Sequence, residues 1–180
     1  MKMRFASLWL TMLVFAGCAQ GEPKQVKVEL HNSAGDKVGT ATLSEHPGGM
    51  QIKLKAEGFT PGSHGLHIHE VGECKDPDFT SSGNHFNSDK KKHGLLNEKG
   101  AENGDLPNVT ADANGKIKAK FIAPNVSFKE GKKTLRRKNG ASLIITENPD
   151  DGMTQPTGNS GKRLACGVIV KKSTAYKKST

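Results

Sequence analysis

Histidines and one aspartate that could bind a metal ion are concentrated in the middle of this 180-residue chain. His67 and His69 are separated by one residue, and residues two apart on a β-strand point to the same face of a sheet. His85, His93 and Asp105 follow in the next part of the chain. Imidazole nitrogens together with a carboxylate oxygen favour borderline divalent ions such as zinc and copper. The pattern predicts a metal site rather than a set of isolated surface histidines.

Alternating apolar and polar residues predict the strands that must hold these side chains. The alternation over residues 26–30 and 50–56 is typical of half-buried strands. Two long Gly- and Asp-rich stretches, at about residues 71–108 and 147–162, are predicted loops, and loops of that length usually serve a function. The sequence therefore predicts an all-β barrel or sandwich with two long functional loops. Later strands are predicted at residues 65–69, 117–122, 142–146 and 164–170.

The first 18 residues predict a secretory leader rather than part of the fold. Lys2 and Arg4 precede an apolar stretch, residues 5–15, that is too short to span a bilayer. Small residues followed by Cys18 resemble a lipobox, whose cysteine becomes a lipidated N-terminus after cleavage; an ordinary signal peptide with an incidental cysteine is the alternative. We expect a lipoprotein signal peptide over 1–18, a tether over 19–24, and a protein secreted across the bacterial cytoplasmic membrane and lipid-anchored in the cell envelope.

The cysteine count bears on the redox chemistry of the chain. Three cysteines in a secreted protein leave an odd one. If Cys18 carries lipid, Cys74 and Cys166 remain as an even pair in an oxidising compartment. A bond between them would close a loop of 92 residues and stabilise the fold by roughly 4–5 kcal/mol in the chain-entropy model. Two free thiols are the alternative.

The net charge of +9 bears on which partners the chain could bind. Lysines are frequent at the end of the chain, and residues 172–180 are expected to form a basic, disordered tail. Attraction of this tail to anionic lipid or wall polymer is the alternative to simple solvation. Basic residues elsewhere are scattered and lack an accompanying aromatic stripe, so nucleic acid is not an expected partner.

Five motifs together resemble those of a known metalloenzyme family. The runs GLHIHEVGEC, GNHFN, KKHG, GDLPNVTAD and TGNSGKRLACGVI are similar to motifs of the copper–zinc superoxide dismutases. The similarity covers about residues 25–171, which we take as one domain. It implies an eight-stranded Greek-key β-barrel with copper and zinc as cofactors and superoxide as substrate. It also implies a disulfide between Cys74 and Cys166.

The resemblance further implies a role for each matching metal ligand. His67, His69 and His85 correspond to copper ligands, and His85 also corresponds to the histidine that bridges copper and zinc. His93 and Asp105, with His85, correspond to zinc ligands. In the family the bridging histidine leaves reduced copper, which is then held by the remaining histidines.

Two other residues correspond to groups that act beside the metals. Asp150 matches the aspartate that hydrogen-bonds ligands of both metals, and such partners orient imidazoles and tune metal affinity. Arg163 matches the arginine that attracts and orients superoxide, a role that suits a permanently cationic, rigid donor fork. A plain surface arginine is the alternative for Arg163.

Two positions depart from the family pattern. Glu102 stands where the remaining zinc histidine is expected; a carboxylate is an acceptable zinc ligand, so Glu102 is either a fourth ligand or a plain loop residue. Thr146 stands where the fourth copper histidine is expected, and a neutral hydroxyl is a poor copper ligand. No histidine follows His93, and Met153 offers only a thioether in the neighbouring loop.

The missing copper ligand shapes the predicted function. With Thr146 in place of histidine, only His67 and His69 would hold reduced copper. We predict a superoxide dismutase-like envelope lipoprotein that binds zinc and copper and dismutates superoxide weakly if at all. An inactive relative that binds copper or zinc for buffering or delivery is the alternative, and a purely structural envelope lipoprotein is a third hypothesis.

Overall fold

The structure, a computed structural model, describes residues 25–171 as a nearly closed antiparallel β-barrel. The predicted leader with Cys18, the tether at 19–24 and the tail at 172–180 lie outside the described residues. The strand order around the barrel is β4-β6-β7-β3-β2-β1-β9-β8-β5. Within the described range, no helix is long and apolar enough to cross a membrane. The strands are β1 (Gln25–Asn32), β2 (Lys37–His46), β3 (Gly49–Ala56), β4 (Gly62–His64), β5 (Leu66–His69), β6 (Val109–Ala111), β7 (Ile117–Ala123), β8 (Ala141–Thr146) and β9 (Arg163–Val170).

The all-β prediction is confirmed, but the strand count is nine rather than eight. The difference arises at Gly65, the single residue between β4 and β5. β4 pairs with β6, whereas β5 pairs with β8, so one continuous segment contributes to both edges of the sheet. A Cβ atom at Gly65 would lie 2.3 Å from the hydroxyl oxygen of Thr146, so this crossing requires a residue without a side chain.

Periodicity located most strands and missed the least regular ones. The predicted strands at 65–69, 117–122, 142–146 and 164–170 match β5, β7, β8 and β9 to within one residue at each end. β2 was not predicted because its interior positions include the small residues Gly39 and Ala41, which weaken the apolar alternation. β4 and β6 have only three residues each, too few to show a period.

Apolar side chains from alternate strand positions fill the barrel. Leu66 and Ile68 of β5 are fully buried there, on the face opposite to that of His67 and His69. Strand β8 is buried along its whole length because loops cover its outer face. The interior also includes Leu30, Leu43, Ile52, Leu54, Ile117, Leu143 and Ile145.

Three long loops leave the barrel, of which two were predicted. Residues 70–108 contain only one 3-10 turn, Thr80–Ser82, and residues 147–162 contain no strand or helix. The third loop, residues 124–140, was not predicted. A disulfide joins Cys74 in the first loop to Cys166 in β9, with the Cα atoms 5.7 Å apart, so the free-thiol alternative is excluded.

A small apolar cluster outside the barrel reinforces this attachment. Phe79, Ile144 and Cys166 are buried together, with Cys74 packed against them. The covalent bond and the packed Phe79 ring therefore fix the first half of the loop on the outer face of β8 and β9. This is the loop that carries His85 and His93.

Candidate metal centre

Strand β5 carries the two histidines around which the site is built. His67 and His69 point away from the barrel interior, yet both are at least 98% buried because the long loops cover them. Backbone bridges join His69 to His85 and His67 to Asp105, both on the side of the strand opposite to β8. The loop residues therefore have positions set by hydrogen bonds to β5 rather than by free loop conformation.

Four residues on the loops form one half of the site. Ligand atoms of His85, His93, Glu102 and Asp105 all lie within 4.8 Å of one another. The Asp105 Oδ1 atom is 3.1 Å from His85 Nδ1 and 2.9 Å from His93 Nδ1. The Glu102 Oε2 atom is 3.1 Å from His85 Nδ1 and 3.6 Å from His93 Nδ1.

These separations fit a tetrahedral zinc ion. Nitrogen and oxygen ligands about 2.0–2.1 Å from zinc at the tetrahedral angle stand about 3.3 Å from one another. The other oxygen of Asp105 accepts hydrogen bonds from the backbone amides of Gly94 at 2.8 Å and Glu102 at 2.9 Å. Asp105 is therefore held with one oxygen turned toward the two imidazoles.

Electrostatics in this half favour a cation. Burial opposes charge on His93, but hydrogen bonds to Asp105, Asp150 and Glu102 outweigh it and raise its pKa to about 11. Burial would raise the pKa of Asp105, yet the hydrogen bonds from His85 and His93 hold that pKa below its usual range. The carboxylates thus favour positive charge at this position, and a divalent cation bound there would displace protons from the imidazoles.

The other half of the site has imidazole nitrogens without partners. His67 Nδ1 and His69 Nε2 are buried and make no hydrogen bond to any described residue. Their second nitrogens are occupied: His67 Nε2 is 2.8 Å from Asp150 Oδ2, and His69 Nδ1 is 2.9 Å from the Gly83 carbonyl oxygen. Burial lowers the pKa of both rings, so each is neutral with a lone pair available.

His85 lies between the two halves. Its ring stacks on that of His67, with centroids 4.1 Å apart, and meets the ring of His69 edge-on at 5.0 Å. Its Nδ1 faces the carboxylates of Glu102 and Asp105. The structure thus brings His67, His69 and His85 together on one side, and His85 with the carboxylates on the other.

Asp150 connects both halves. Its Oδ2 atom contacts His67 Nε2, and its Oδ1 atom lies 3.1 Å from His93 Nε2. Asn108 holds the backbone of Asp150 in place: its amide nitrogen donates to the Asp150 carbonyl at 2.8 Å, and its oxygen accepts from the Asp150 amide at 2.9 Å. Asp150 therefore orients one imidazole of each half.

Arg163 lines a cleft of about 370 Å³ that opens onto His69 and His85. One guanidinium nitrogen donates to the Phe79 carbonyl at 2.7 Å and to Ser82 Oγ at 2.9 Å, and the other donates to the Gly83 carbonyl at 3.0 Å. These bonds fix the guanidinium at the wall of the cleft. Glu70, Glu102 and Thr157 also line the cleft.

Thr146 lies at the end of β8 near His67 and is only 4% exposed. Its hydroxyl donates to the Asn148 carbonyl oxygen at 3.2 Å. A Cβ atom added to Gly65 would lie 2.3 Å from the Thr146 hydroxyl oxygen and 3.1 Å from His67 Cε1. The side chain of Thr146 therefore faces His67 but supplies no imidazole, and Met153 lies exposed on the surface.

Two supporting residues were not predicted from the sequence. His64 is buried and links the end of β8 to the loop before β4, with Nδ1 2.9 Å from the Thr146 carbonyl and Nε2 2.8 Å from the Thr60 carbonyl. The Gln155 side chain accepts a hydrogen bond from the backbone amide of His93 and donates one to its backbone carbonyl. His64 could have been suspected from its place three residues before His67, whereas Gln155 carries no sequence signal.

Fold and site together define a metal-binding Greek-key β-barrel. A family profile described as copper/zinc superoxide dismutase (SODC) matches residues 37–169. The chain belongs to this copper/zinc superoxide dismutase family, which implies copper and zinc as cofactors.

Relatives include both dismutases and dismutase-like proteins. Cu-Zn superoxide dismutase 1 of Aquifex aeolicus is 44% identical over 143 residues, which are 78% of this chain and 85% of that protein. The superoxide dismutase-like protein YojM of Bacillus subtilis is 38% identical over 183 residues, covering 91% of this chain and 93% of YojM. The crystal structure of a SOD-like protein from Bacillus subtilis superposes with a TM-score of 0.77 at 40% identity, covering 79% of this chain and 97% of that one.

Proposed function

We propose that this protein is a superoxide dismutase-like envelope lipoprotein that binds zinc and copper and dismutates superoxide weakly if at all. One observation carries the proposal. Two neutral, buried imidazole nitrogens, His67 Nδ1 and His69 Nε2, have no protein partner among the described residues, and Thr146 stands where another imidazole would complete their set. Buried polar atoms without a partner are costly, and a metal ion would satisfy both.

The loop half is proposed to hold zinc. His85, His93, Asp105 and Glu102 would supply two nitrogens and two oxygens at separations that suit tetrahedral geometry. Two carboxylates make this set more anionic than one with three imidazoles. The proximity of Glu102 to His85 Nδ1 favours a ligand role over that of a plain loop residue.

His67, His69 and His85 are proposed to hold copper. Bound copper would supply the one-electron redox chemistry by which two superoxide anions and two protons become oxygen and hydrogen peroxide. Asp150 would keep the rings of His67 and His93 in their orientation through its two oxygens.

Arg163 is proposed to bind and orient the superoxide anion in the cleft. Its guanidinium is fixed by three hydrogen bonds, so little conformational freedom is lost when an anion binds. Glu70 and Glu102 line the same cleft and oppose an anion, although a metal-bound Glu102 would be neutralised. The electrostatic attraction therefore depends on Arg163 and the metal sites together.

Low activity is proposed because Thr146 cannot replace an imidazole. Its hydroxyl already donates to Asn148, and a neutral hydroxyl is a weak ligand for copper in either oxidation state. The same observation supports the second candidate function, an inactive relative that binds copper or zinc for buffering or delivery.

Metal content and superoxide turnover separate these functions. The purified protein is loaded with zinc and copper, its metals are counted by mass spectrometry, and superoxide decay is followed by stopped flow. One zinc, one copper and slow turnover would support a weak dismutase. Bound metal without turnover would support the buffering or delivery function, and turnover near the diffusion limit would show that Thr146 is no defect.

The envelope location is proposed from the lipobox-like segment ending at Cys18. Cell fractionation with the Cys18→Ala chain as control tests it. Loss of the protein from the membrane fraction in the variant, with a lipid-sized mass on Cys18 in the parent, is the expected result. Equal membrane association of both chains, or an unmodified Cys18, would contradict lipid anchoring.

A further inference from the structure

Four lysines form a regular array on the outer face of β3 and β7. Lys53 lies directly opposite Lys120, and Lys55 directly opposite Lys118, in the antiparallel ladder between these strands. All four side chains are exposed. Like charges directly opposite across a ladder repel each other, so the array costs stability unless an external anion neutralises it. We call these four residues the lysine face.

The surroundings neutralise the lysine face only in part. The exposed Asp112 between β6 and β7 attracts Lys118, but no carboxylate of the described residues forms an ion pair with any of the four lysines. The other outward positions of β3 and β7 include Gln51 and Ile122 and contain no acidic residue in the described strands. On β1, two strands from β3, Lys27 is in line with Lys53 through Thr42 of β2 and extends the positive charge. The acidic residue nearest to it on β1, Glu29, is paired with Lys37.

A cleft lies at one end of the lysine face. It has a volume of about 430 Å³ between the beginnings of β2 and β7 and the end of β3. Four lysines line it, against one glutamate. A cleft of this size with several ammonium groups suits the phosphate of a lipid headgroup. The charged residues lining it are Lys37, Lys55, Lys116, Lys118 and Glu57.

Protection of a strand edge explains only half of the array. β7 pairs with β3 on one side, but on the other side only Ile117 pairs, with Ala111 of β6. Lysines on an exposed edge prevent unwanted strand pairing, which accounts for Lys118 and Lys120. Strand β3 has partners on both sides along its length, so Lys53 and Lys55 gain nothing from that role.

The lysine face lies on the same side of the barrel as the start of β1. Gln25 is in line with Ser44 of β2 and Gln51 of β3, one outward row from Lys53. The chain between Cys18 and Gln25 spans at most about 25 Å. A lipid on Cys18 would therefore keep this face close to the bilayer.

The metal cleft would remain open in that arrangement. Around the nearly closed barrel, β5, which carries His67 and His69, is separated from β3 by β2, β1, β9 and β8 in one direction and from β7 by β4 and β6 in the other. None of the residues that line the Arg163 cleft belongs to β3 or β7. Contact through the lysine face thus leaves access to the metal centre from the aqueous side.

We propose that the lysine face binds the anionic phosphate headgroups of the bilayer to which the chain is anchored. This inference takes only the lipid anchor from the proposed function and is independent of any dismutase activity. A cation close to an anionic membrane surface raises affinity on the order of fivefold, and the effect weakens with salt. Several lysines acting together would orient the barrel with its metal cleft away from the membrane.

Vesicle binding of the full chain carrying Cys18→Ala tests the proposal without a lipid anchor. Phosphatidylcholine vesicles with and without phosphatidylglycerol are compared for every variant. The leader, with Lys2 and Arg4, is the same in each variant, so differences between variants do not come from it. The K53Q/K55Q/K118Q/K120Q chain is measured beside K90Q/K92Q/K99Q/K129Q, a control that loses the same charge from exposed lysines elsewhere. We expect the first variant to lose at least about 50-fold of the preference for anionic vesicles, and the control less than about fivefold.

Three outcomes would overturn the proposal. Equal losses of the preference for anionic vesicles in the two four-lysine variants would show that net charge alone attracts the protein to the membrane. No anionic preference in the parent would show that the face binds no membrane. Tighter binding to soluble polyphosphate than to vesicles would identify a soluble polyanion as the ligand. None of these depends on whether Cys18 is lipidated, which cell fractionation decides separately.

A charge-reversal variant distinguishes loss of vesicle binding through lost charge from loss of binding through misfolding. K118E/K120E places acidic side chains opposite Lys53 and Lys55, so we expect an unchanged or higher melting temperature together with lost vesicle binding. Retained binding in this folded variant would contradict the proposal.

Discussion

Replacing Thr146 by histidine should convert the copper half of the site from incomplete to complete. The side chain at this position already lies over Gly65, next to His67, so an imidazole here would be directed toward the two unpartnered nitrogens. Groups that merely orient a ligand change metal affinity about 10–100-fold, so a direct ligand should add at least about 100-fold in copper affinity.

The same substitution should weaken the metal-free protein. Thr146→His removes the hydrogen bond to Asn148, worth about 1 kcal/mol, and places a larger side chain in a buried position, which costs about 1–3 kcal/mol. The melting temperature without metal should fall by about 5–15 °C for a domain of this size. Copper should then restore more stability to the variant than to the parent, by about 2.7 kcal/mol for a 100-fold gain in affinity.

The assay combines calorimetry with copper, competition for copper against a chelator, and superoxide decay by stopped flow. Thr146→Leu is the matched control, because it adds similar bulk without a metal ligand. We expect tighter copper binding and faster turnover in Thr146→His and neither in Thr146→Leu. Equal copper affinities in the two variants would refute the reasoning that Thr146 is the missing ligand.

Three further predictions concern the zinc ligands, the disulfide and the cleft. Glu102→Ala should weaken zinc binding by at least about 10-fold, measured by chelator competition, while Glu102→His should preserve it; unchanged affinity in Glu102→Ala would remove Glu102 from the ligand set. The Cys74→Ser/Cys166→Ser double variant should lose roughly 4–5 kcal/mol of the free energy of unfolding in denaturant titration, and a loss below about 1 kcal/mol would contradict the entropic account. In the copper-loaded Thr146→His background, Arg163→Lys should lower kcat/KM for superoxide by about 10-fold or more with unchanged copper content, and an unaltered rate would leave Arg163 without a role in binding superoxide.

The sequence predicted the parts of the structure that depend on local geometry. Side chains alternate across a strand with a period of two, so the pattern of apolar residues located β3, β7, β8 and β9. The same period placed His67 and His69 on one face. Family motifs then supplied the disulfide, which the structure confirms, and the ligand assignments, which remain predictions.

The sequence was less informative where the chain changes partners. Predicting eight strands overlooked that the segment around Gly65 pairs with β6 on one side and β8 on the other. Pairing partners are set by packing over the whole barrel and leave little trace in a short segment. The strands of three residues, β4 and β6, were missed for the same reason.

Which distant groups meet is decided by the tertiary structure, and the family resemblance anticipated it only for the metal-site residues, Asp150 included, and for the disulfide. Asp150 reaches His67 and His93 across 83 and 57 residues, and His64 reaches the carbonyl of Thr146 across 82. The direct opposition of Lys53 and Lys120 likewise appears only once the register of β3 and β7 is known. Local periodicity follows from the backbone of a few neighbouring residues, whereas these contacts depend on how the barrel closes and on where the disulfide holds the loop, which no single stretch of sequence encodes.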